Sequence, residues 1–304
     1  GLAECMKFGT TLIGDIAAEG ASYHVVTKNA VRAVLFWEVI GLNQEKFDME
    51  LKKIGISIGD SWDPDAPLPP RPQTNSCRWA MSPHSPYSAH HHSTLAQLYY
   101  GSYNSIHLAE SPGEIELLDS KTGKFVLFLK ELGVWDSSLI TARLLDYLKN
   151  HLPSHKKGPA LFIHCNYLPQ DAPFASNQSI VFCPRTHAAF RHPPHPFREF
   201  LERGVRVCLG TDSLASNPDL DILAEARFVH GMYPDFSRET LLKMITLAGA
   251  EALGWANETG SLEPGKSADF VAVPLPDRHA TDPHQLLFAD YPAIRRTMFR
   301  GEWR

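Results

Sequence analysis

The sequence lacks the features that define several large classes of protein. It has no apolar run near the roughly 18 residues that cross a bilayer, so we expect no membrane partner. Its 29 lysines and arginines are outnumbered by 34 aspartates and glutamates, and the net charge of −5 argues against nucleic acid as a partner. The opening GLAECMKFGTTL has no cationic segment followed by an apolar stretch, so we expect no signal peptide and a cytoplasmic protein.

Cysteine and glycine motifs are missing as well. The five cysteines contain no Cys-x-x-Cys pair, and four of them lie in or beside apolar runs, which predicts reduced, buried thiols. Their spacing argues against a four-cysteine zinc site. No Gly-x-Gly-x-x-Gly follows an apolar run, so the main signal for a dinucleotide-binding fold is absent.

Short apolar runs instead alternate with helical periodicities along most of the chain. Seven runs are predicted to be strands buried on both faces, at 11–16, 31–40, 78–82, 105–109, 160–165, 179–183 and 205–210. Helical patterns between them, such as the one from the N-cap Ser237 to the stop at Gly254, make repeated β-then-α units and indicate a parallel sheet. This order favours an α/β fold of the (β/α)8 TIM-type barrel over a doubly wound sheet.

Two regions break the barrel pattern. Residues 56–76 are rich in proline and have no periodicity, which is typical of a functional lid or a linker-like segment. After Gly254 the sequence becomes turn-rich, and the runs 269–273 and 297–303 are predicted to be strands. We therefore predict a barrel over residues 1–255 and a small β-sandwich portion over residues 256–304.

Several predicted strands end in side chains that bind metals or move protons. His107 with Glu110, His164 and Asp212 follow three of them, and the carboxyl ends of barrel strands meet at one mouth. Each residue alone also fits a structural role, as a hydrogen-bonded histidine, a solvated carboxylate or a helix cap. Together, imidazole nitrogens and a carboxylate suit a zinc-like ion with an open position for water. A carboxylate that is not a ligand can then move protons.

A set of short motifs occurs in a characteristic order along nearly the whole chain. They are GTT at residue 9, SPHSPY at 82, HLAE at 107, HCNYL at 164, CP at 183, GTDS at 210 and GSLEPGKSAD at 260. His107-x-x-Glu110 alone is a weak signal, but the ordered set is specific. It resembles the amidohydrolase superfamily, in the branch of aminoheterocycle and nucleoside deaminases and triazine chlorohydrolases.

The resemblance implies a role for each matching residue. His107 corresponds to the metal-ligand histidine of the fifth barrel strand, and Asp212 to the eighth-strand aspartate that binds metal and accepts the water proton. Glu110 corresponds to the glutamate that carries protons to the leaving group, and His164 to the histidine that orients and polarises hydroxide or substrate. His84 corresponds to a substrate-facing histidine.

The cofactor implied by the resemblance is one divalent metal ion, with zinc expected and iron left open. The strand at 78–82 has no lysine, and a carboxylated lysine there is common in two-metal branches, so its absence favours one ion. Two further residues, Arg185 and His187, lie in a proline-rich segment predicted to cover the barrel mouth. They are candidate substrate-binding residues, Arg185 for an anionic group.

One part of the family pattern does not match. The family's first strand ends in His-x-His, which supplies two more ligands, and no strand precedes residue 1 here. His90-His91-His92 matches only literally, in a loop after the strand at 78–82. A closed barrel needs eight strands, so we expect the functional protein to have residues before Gly1 that supply a strand between the free edges at 11–16 and 205–210.

The expected function is that of a metal-dependent hydrolase that attacks a C–N bond of a small-molecule substrate. Deamination of an aminated purine-like or pyrimidine-like ring is the leading hypothesis. Alternatives are displacement of chloride at the same site, a barrel that has lost catalysis, and a binding or assembly subunit. Because family members are often dimers or larger, the resemblance is also compatible with a homo-oligomer.

Overall fold

The computed structural model describes residues 1–18, 21–29, 31–53, 76–89, 104–140, 143–144, 158–289 and 295–304. Two of the sequence features lie outside these ranges. They are the proline-rich segment at 56–76, except for its last residue, and the run His90-His91-His92.

Seven parallel strands form one curled, half-barrel sheet, and all seven predicted strands are confirmed. Their order in the sheet is their order in the chain. They are β1 (Leu12–Ala18), β2 (Arg32–Val39), β3 (Cys77–Pro83), β4 (Asn104–Leu108), β5 (Ala160–His164), β6 (Gln178–Phe182) and β7 (Arg206–Leu209). Each adjacent pair is parallel, so every carboxyl end lies at the same edge of the sheet.

The inner strands of the sheet are largely buried because both of their faces are covered, whereas the edge strand β1, also predicted to be buried on both faces, is buried only at Ala17. All five residues of β5 are buried. Leu161 and Ile163 pack in one core cluster with Phe36, whereas Phe162 between them packs in another cluster with Leu117. This alternation follows the two-residue period of a strand. One face of the sheet packs against the helices outside it, and the other face packs against side chains inside the curve of the sheet.

Ten helices among the described residues accompany the sheet. They are α1 (Leu2–Lys7), α2 (Tyr23–Thr27), α3 (Gln44–Lys53), α4 (Pro112–Ser120), α5 (Lys124–Glu131), α6 (Pro184–Ala189), α7 (Phe197–Glu202), α8 (Ile222–Met232), α9 (Arg238–Met244) and α10 (Leu247–Ala252). Ser237 caps α9 by accepting a hydrogen bond from the Thr240 N–H, as predicted. Within the described ranges, no helix has the length and apolarity needed to cross a membrane.

The C-terminal part forms a three-stranded antiparallel sheet beside a short helix. Its elements are β8 (Phe270–Ala272), α11 (Pro283–Leu287), β9 (Arg296–Phe299) and β10 (Glu302–Trp303), with the strand order β10-β9-β8. The run 297–303, predicted as one strand, is a hairpin instead. Arg300 and Gly301 both take positive φ, at 52° and 83°, and turn the chain back. The described residues contain one layer here, so the β-sandwich and the division at residue 255 stay predictions.

Ion pairs connect the C-terminal segment to the seven-stranded sheet and its helices. Arg295 makes a bidentate pair with Asp221 at 2.6 and 2.7 Å, and Asp221 also caps α8 through the N–H groups of Leu223 and Ala224. Arg32 on β2 pairs with Asp269, and both side chains are almost fully buried. The C-terminal segment is thus tied to the barrel by charged contacts as well as by packing.

The two edges of the sheet, as the described residues show it, are β1 and β7, as predicted. A cavity of about 970 Å³ lies between them and is lined by Leu12, Ile16, Leu209, Leu242 and Leu253 among others. Its lining is mainly apolar, so this cavity is distinct in chemistry from the polar carboxyl ends of the strands.

Candidate active site

The polar residues at the strand ends sit on unusual backbone. Ala109 after β4, His164 at the end of β5, Cys165 next to it and Asp212 after β7 have φ values of 51°, 69°, 58° and 57°. This left-handed conformation costs roughly 1–2 kcal/mol for a residue other than glycine. Such conformations cluster where the surrounding structure fixes a functional geometry, so the strand ends are the first place to look for a site.

The structure brings the histidines of three neighbouring strand ends into a row. The ring centroids of His84 and His107 are 4.7 Å apart, and those of His107 and His164 are 5.6 Å apart. Glu110 lies beside the row, with its Oε1 3.5 Å from His164 Nε2. The charge of Asp212 acts on His107, His164 and Glu110, which places it at the same mouth.

His107 has the protonation state of a metal ligand. Its Nδ1 is 2.9 Å from the carbonyl oxygen of His84, and a carbonyl only accepts, so Nδ1 carries the proton. Burial, with the neighbouring His84 adding to it, lowers the His107 pKa and keeps the ring neutral. Nε2 therefore holds a free lone pair, which is the arrangement found in metal-bound histidines.

The pKa values of Glu110 and His164 are shifted in opposite directions. Burial and the nearby charge of Asp212 raise the pKa of Glu110, so this carboxyl takes up a proton more readily than a solvated one. Burial, with His107 adding to it, lowers the pKa of His164 to about 3, so the ring is neutral at physiological pH. A carboxyl with a raised pKa beside a neutral imidazole suits proton transfer to and from a bound substrate.

Asp212 is exposed, and both of its carboxylate oxygens are oriented by neighbours. Oδ1 accepts the Ser213 N–H at 2.8 Å, and Oδ2 accepts the Ser216 hydroxyl at 2.9 Å. Ser216 in turn contacts Thr186 Oγ1 at 3.0 Å, which links the loop after β7 to α6. A carboxylate oxygen accepts more than one contact, so these bonds orient Asp212 and leave room for a cation.

Glu38 belongs to this site, although no sequence motif gives it a role. Its Oε1 is 2.7 Å from His84 Nδ1, and the two residues are 46 positions apart. Burial alone would raise the pKa of Glu38, but the hydrogen bond with His84, together with the electrostatic influence of the two neighbouring imidazoles, outweighs it and lowers the pKa. The available signal is a lone carboxylate near the end of a strand that is otherwise apolar after Arg32, and its partner becomes visible only in the fold.

Two groups of residues have the donor chemistry for a divalent ion. His107 and Asp212 are the pair implied by the sequence motifs, and imidazole with carboxylate fits zinc or iron. The ligand atoms of Glu38, His84 and His107 also lie within 4.8 Å of one another. A catalytic zinc usually has three protein ligands. His107 and Asp212 supply two, so this pair needs at least one further ligand, which the motifs do not name among the described residues.

Arg185 is held by protein carboxylates. Its Nε is 2.6 Å from Glu225 Oε1 and its Nη2 is 2.7 Å from Asp219 Oδ1, while its backbone N–H donates to Glu225 Oε2 at 2.9 Å. Glu225 also accepts from Asn217, which donates to the Thr211 carbonyl next to Asp212. Arg185 therefore joins the segments after β6 and β7, and its predicted contact with an anionic substrate stays a prediction.

His187 lies on α6, and its ring packs among three rings from neighbouring segments. Its ring centroid is 5.6 Å from that of Phe182, 5.4 Å from that of His192 and 5.9 Å from that of His195. Burial, with His192 adding to it, lowers the His187 pKa to about 4. His195 donates from Nε2 to the carbonyl of His164 at 2.8 Å, since a carbonyl only accepts. The cluster thus supports His164, and substrate contact by His187 stays a prediction.

Solved structures share this fold. One is the aminofutalosine deaminase of Helicobacter pylori in complex with methylthio-coformycin, with a TM-score of 0.77 at 21% identity, over 100% of this chain and 74% of that one. Another is an atrazine chlorohydrolase of Arthrobacter aurescens complexed with zinc, with a TM-score of 0.68 at 18% identity, over 99% and 70%. Almost the whole chain therefore shares the fold of these solved structures.

The chain belongs to the amidohydrolase family, whose sequence model matches residues 77–304. An aminodeoxyfutalosine deaminase of Nitratiruptor sp. is 28% identical over an alignment of 288 positions, which covers 91% of this chain and 66% of that protein. A 5-methylthioadenosine/S-adenosylhomocysteine deaminase of Moorella thermoacetica is 30% identical over an alignment of 307 positions, gaps included, which covers 94% of this chain and 63% of that protein. The chain thus spans a little under two thirds of the length of these relatives.

Proposed function

We propose that the protein is a metal-dependent hydrolase that removes ammonia from an aminated, nucleoside-like compound. The observation that carries this proposal is the meeting of Glu110, His164 and His107 at the carboxyl edge of the sheet. Asp212 contributes to the pKa shifts of all three residues. The family and the deaminase relatives support the same reaction class.

His107 through Nε2 and Asp212 through a carboxylate oxygen would hold one divalent ion, and zinc is the proposed metal because a structural neighbour binds it. Such an ion supplies water activated for attack at neutral pH. In the overall reaction a ring C–NH₂ group and water give a ring C=O group and ammonia, so one C–O bond forms and one C–N bond breaks.

The chain's own residues would divide the proton transfers. Asp212 would take one proton from the attacking water. Glu110, whose pKa is raised, would give its proton to the ring nitrogen, take up the proton of the newly added hydroxyl and pass it to the departing amine. Exchange with solvent would then remove the proton from Asp212 and return one to Glu110. Neutral His164, 3.5 Å from Glu110, would orient the attacked carbon and its new oxygen. His84, with Nδ1 bonded to Glu38, would present Nε2 to the substrate.

The experiment is a turnover assay on the complete gene product loaded with zinc. Ammonia release is measured with adenosine, 5-methylthioadenosine, S-adenosylhomocysteine and aminodeoxyfutalosine, and chloride release is measured with atrazine. We expect ammonia from at least one nucleoside and loss of the reaction after chelation. Chloride without ammonia would favour the chlorohydrolase alternative. Absence of any turnover in metal-loaded protein would favour a barrel without catalysis.

His84→Ala is expected to act on substrate binding and to leave the metal in place. His84 lies beyond Pro83, at the rim, and its Nδ1 is occupied by Glu38. We expect KM to rise by about tenfold or more, since roughly 1.4 kcal/mol of binding corresponds to tenfold. Glu38→Gln is the matched variant: its amide oxygen still accepts from Nδ1 but lacks the charge, so the same change should be smaller.

Steady-state kinetics and metal analysis on both variants test this assignment. Loss of metal in His84→Ala would overturn it and would favour the group of Glu38, His84 and His107 as the ion's ligands.

A further inference from the structure

Glu114 on α4 is a buried carboxylate whose hydrogen bonds all go to backbone. Glu114 is only 1% exposed, and no lysine or arginine among the described residues forms an ion pair with it. Oε1 accepts the N–H of Ala109 at 2.9 Å, and Oε2 accepts the N–H of Glu110 at 2.8 Å. A buried carboxylate is costly unless it is well bonded, so these two contacts need an explanation.

The arrangement differs from ordinary helix capping. Ser111 caps α4 by accepting from the Glu114 N–H at 3.3 Å, so Glu114 occupies the position from which a capping-box glutamate reaches the N–H of the cap residue itself. Here the carboxylate reaches one and two residues further back. It therefore holds the turn between β4 and α4, where Ala109 is in the left-handed conformation.

The same turn is held from the other side by the segment that follows β5, the strand that ends at His164. Asn166 Nδ2 donates to the Glu110 carbonyl at 3.0 Å, and the Tyr167 N–H donates to the Ala109 carbonyl at 3.0 Å. Both backbone groups of Glu110 are thus fixed, one by Glu114 and one by Asn166. The freedom left to Glu110 is that of its own side chain, which faces His164.

We propose that Glu114 is a positioning residue that fixes the backbone of Glu110 against His164 and so sets the path of the proton. This inference rests on the proposed function. In Glu114→Gln one oxygen is replaced by an NH₂ group, which faces a backbone N–H and cannot accept from it. One of two buried donors is then unsatisfied, and the turn must move to restore it.

The test is a double-mutant cycle of Glu110→Gln and Glu114→Gln in the zinc-loaded gene product. In the wild-type background we expect Glu114→Gln to lower kcat by about 10- to 100-fold, the scale expected when a catalytic group is displaced by about 1 Å. KM should stay within about threefold of the wild-type value, and the metal should be retained. In the Glu110→Gln background we expect less than about a twofold change, because the group being positioned is already disabled. Equal losses in both backgrounds would overturn the inference.

Glu116→Gln is the matched control, since Glu116 lies on the same helix, is exposed, and undergoes the same loss of charge. It should leave kcat unchanged. If Glu114→Gln is too unstable to measure, the cycle is run with Ala109→Gly in every variant, because glycine adopts the left-handed conformation without steric cost.

A second readout separates this inference from the proposed function. Hydrogen exchange of the Ala109 and Glu110 amides should accelerate in Glu114→Gln and remain slow in Glu116→Gln. Wild-type protein without ammonia release would refute the proposed function alone. Unchanged exchange in Glu114→Gln, or full activity in that variant while Glu110→Gln is inactive, would refute the role of Glu114.

Discussion

Replacement of Glu110 by glutamine is expected to lower turnover by at least about 100-fold, the usual scale of general acid–base catalysis, and to leave the metal content unchanged. The amide keeps the shape of the side chain but can neither take up nor release the proton. Since Glu110 is a proton carrier in this proposal and not a ligand, a metal site formed by His107 and Asp212 should persist.

The measurement is kcat with the best nucleoside substrate, together with zinc analysis of the purified variant. Glu116→Gln is again the control, because it makes the same substitution at a neighbouring glutamate. Wild-type turnover in Glu110→Gln would end the assignment of Glu110. Loss of zinc along with activity would instead move Glu110 into the group of metal ligands.

Asp212→Asn is expected to abolish activity and to reduce metal occupancy. A charged carboxylate oxygen becomes a neutral amide, which binds a divalent ion weakly. The neighbouring hydrogen bonds can persist, because the amide oxygen still accepts the Ser213 N–H and the amide NH₂ can donate to the Ser216 hydroxyl. The loss therefore falls on the metal and on proton transfer, so we expect this substitution and Glu110→Gln to have the largest effects of those considered.

Zinc content after dialysis and turnover at saturating substrate check this expectation. Asp235→Asn is a suitable control, since Asp235 makes an exposed surface pair with Arg198 and should tolerate the change. An Asp212→Asn protein with full zinc and a normal rate would show that the ion, if present, is held by other residues.

The strands could be predicted because this sheet is covered on both faces. Burial on both sides makes an inner strand a largely apolar run, and β5 shows this in its fully buried Ala160–His164. The same apolar setting made His107 and His164 visible as polar exceptions at strand ends. The hairpin in 297–303 was not predicted, because a turn of two residues, Arg300 and Gly301, hardly interrupts an apolar pattern.

Contacts between distant segments could not be predicted from patterns. Glu38 meets His84 across 46 residues, and Arg185 meets Glu225 across 40, and no local periodicity encodes either pair. Glu114 shows a subtler limit. Ser111 and Glu114 have the spacing of a capping box, yet the carboxylate bonds the residues before the cap, because the left-handed Ala109 turns their N–H groups toward it.

The left-handed residues at the strand ends also determine where this protein can gain heat resistance. Glycine in place of Ala109 would relieve the backbone and remove no functional group, so unfolding should become harder by at most about 1 kcal/mol, reduced by the loss of the buried Ala109 methyl group. The same relief at His164 or Asp212 would delete the side chain that the proposed chemistry requires. Selection for thermal tolerance would therefore accept glycine at Ala109 and reject it at His164 and Asp212, so that stability and activity are opposed at the carboxyl ends of the strands.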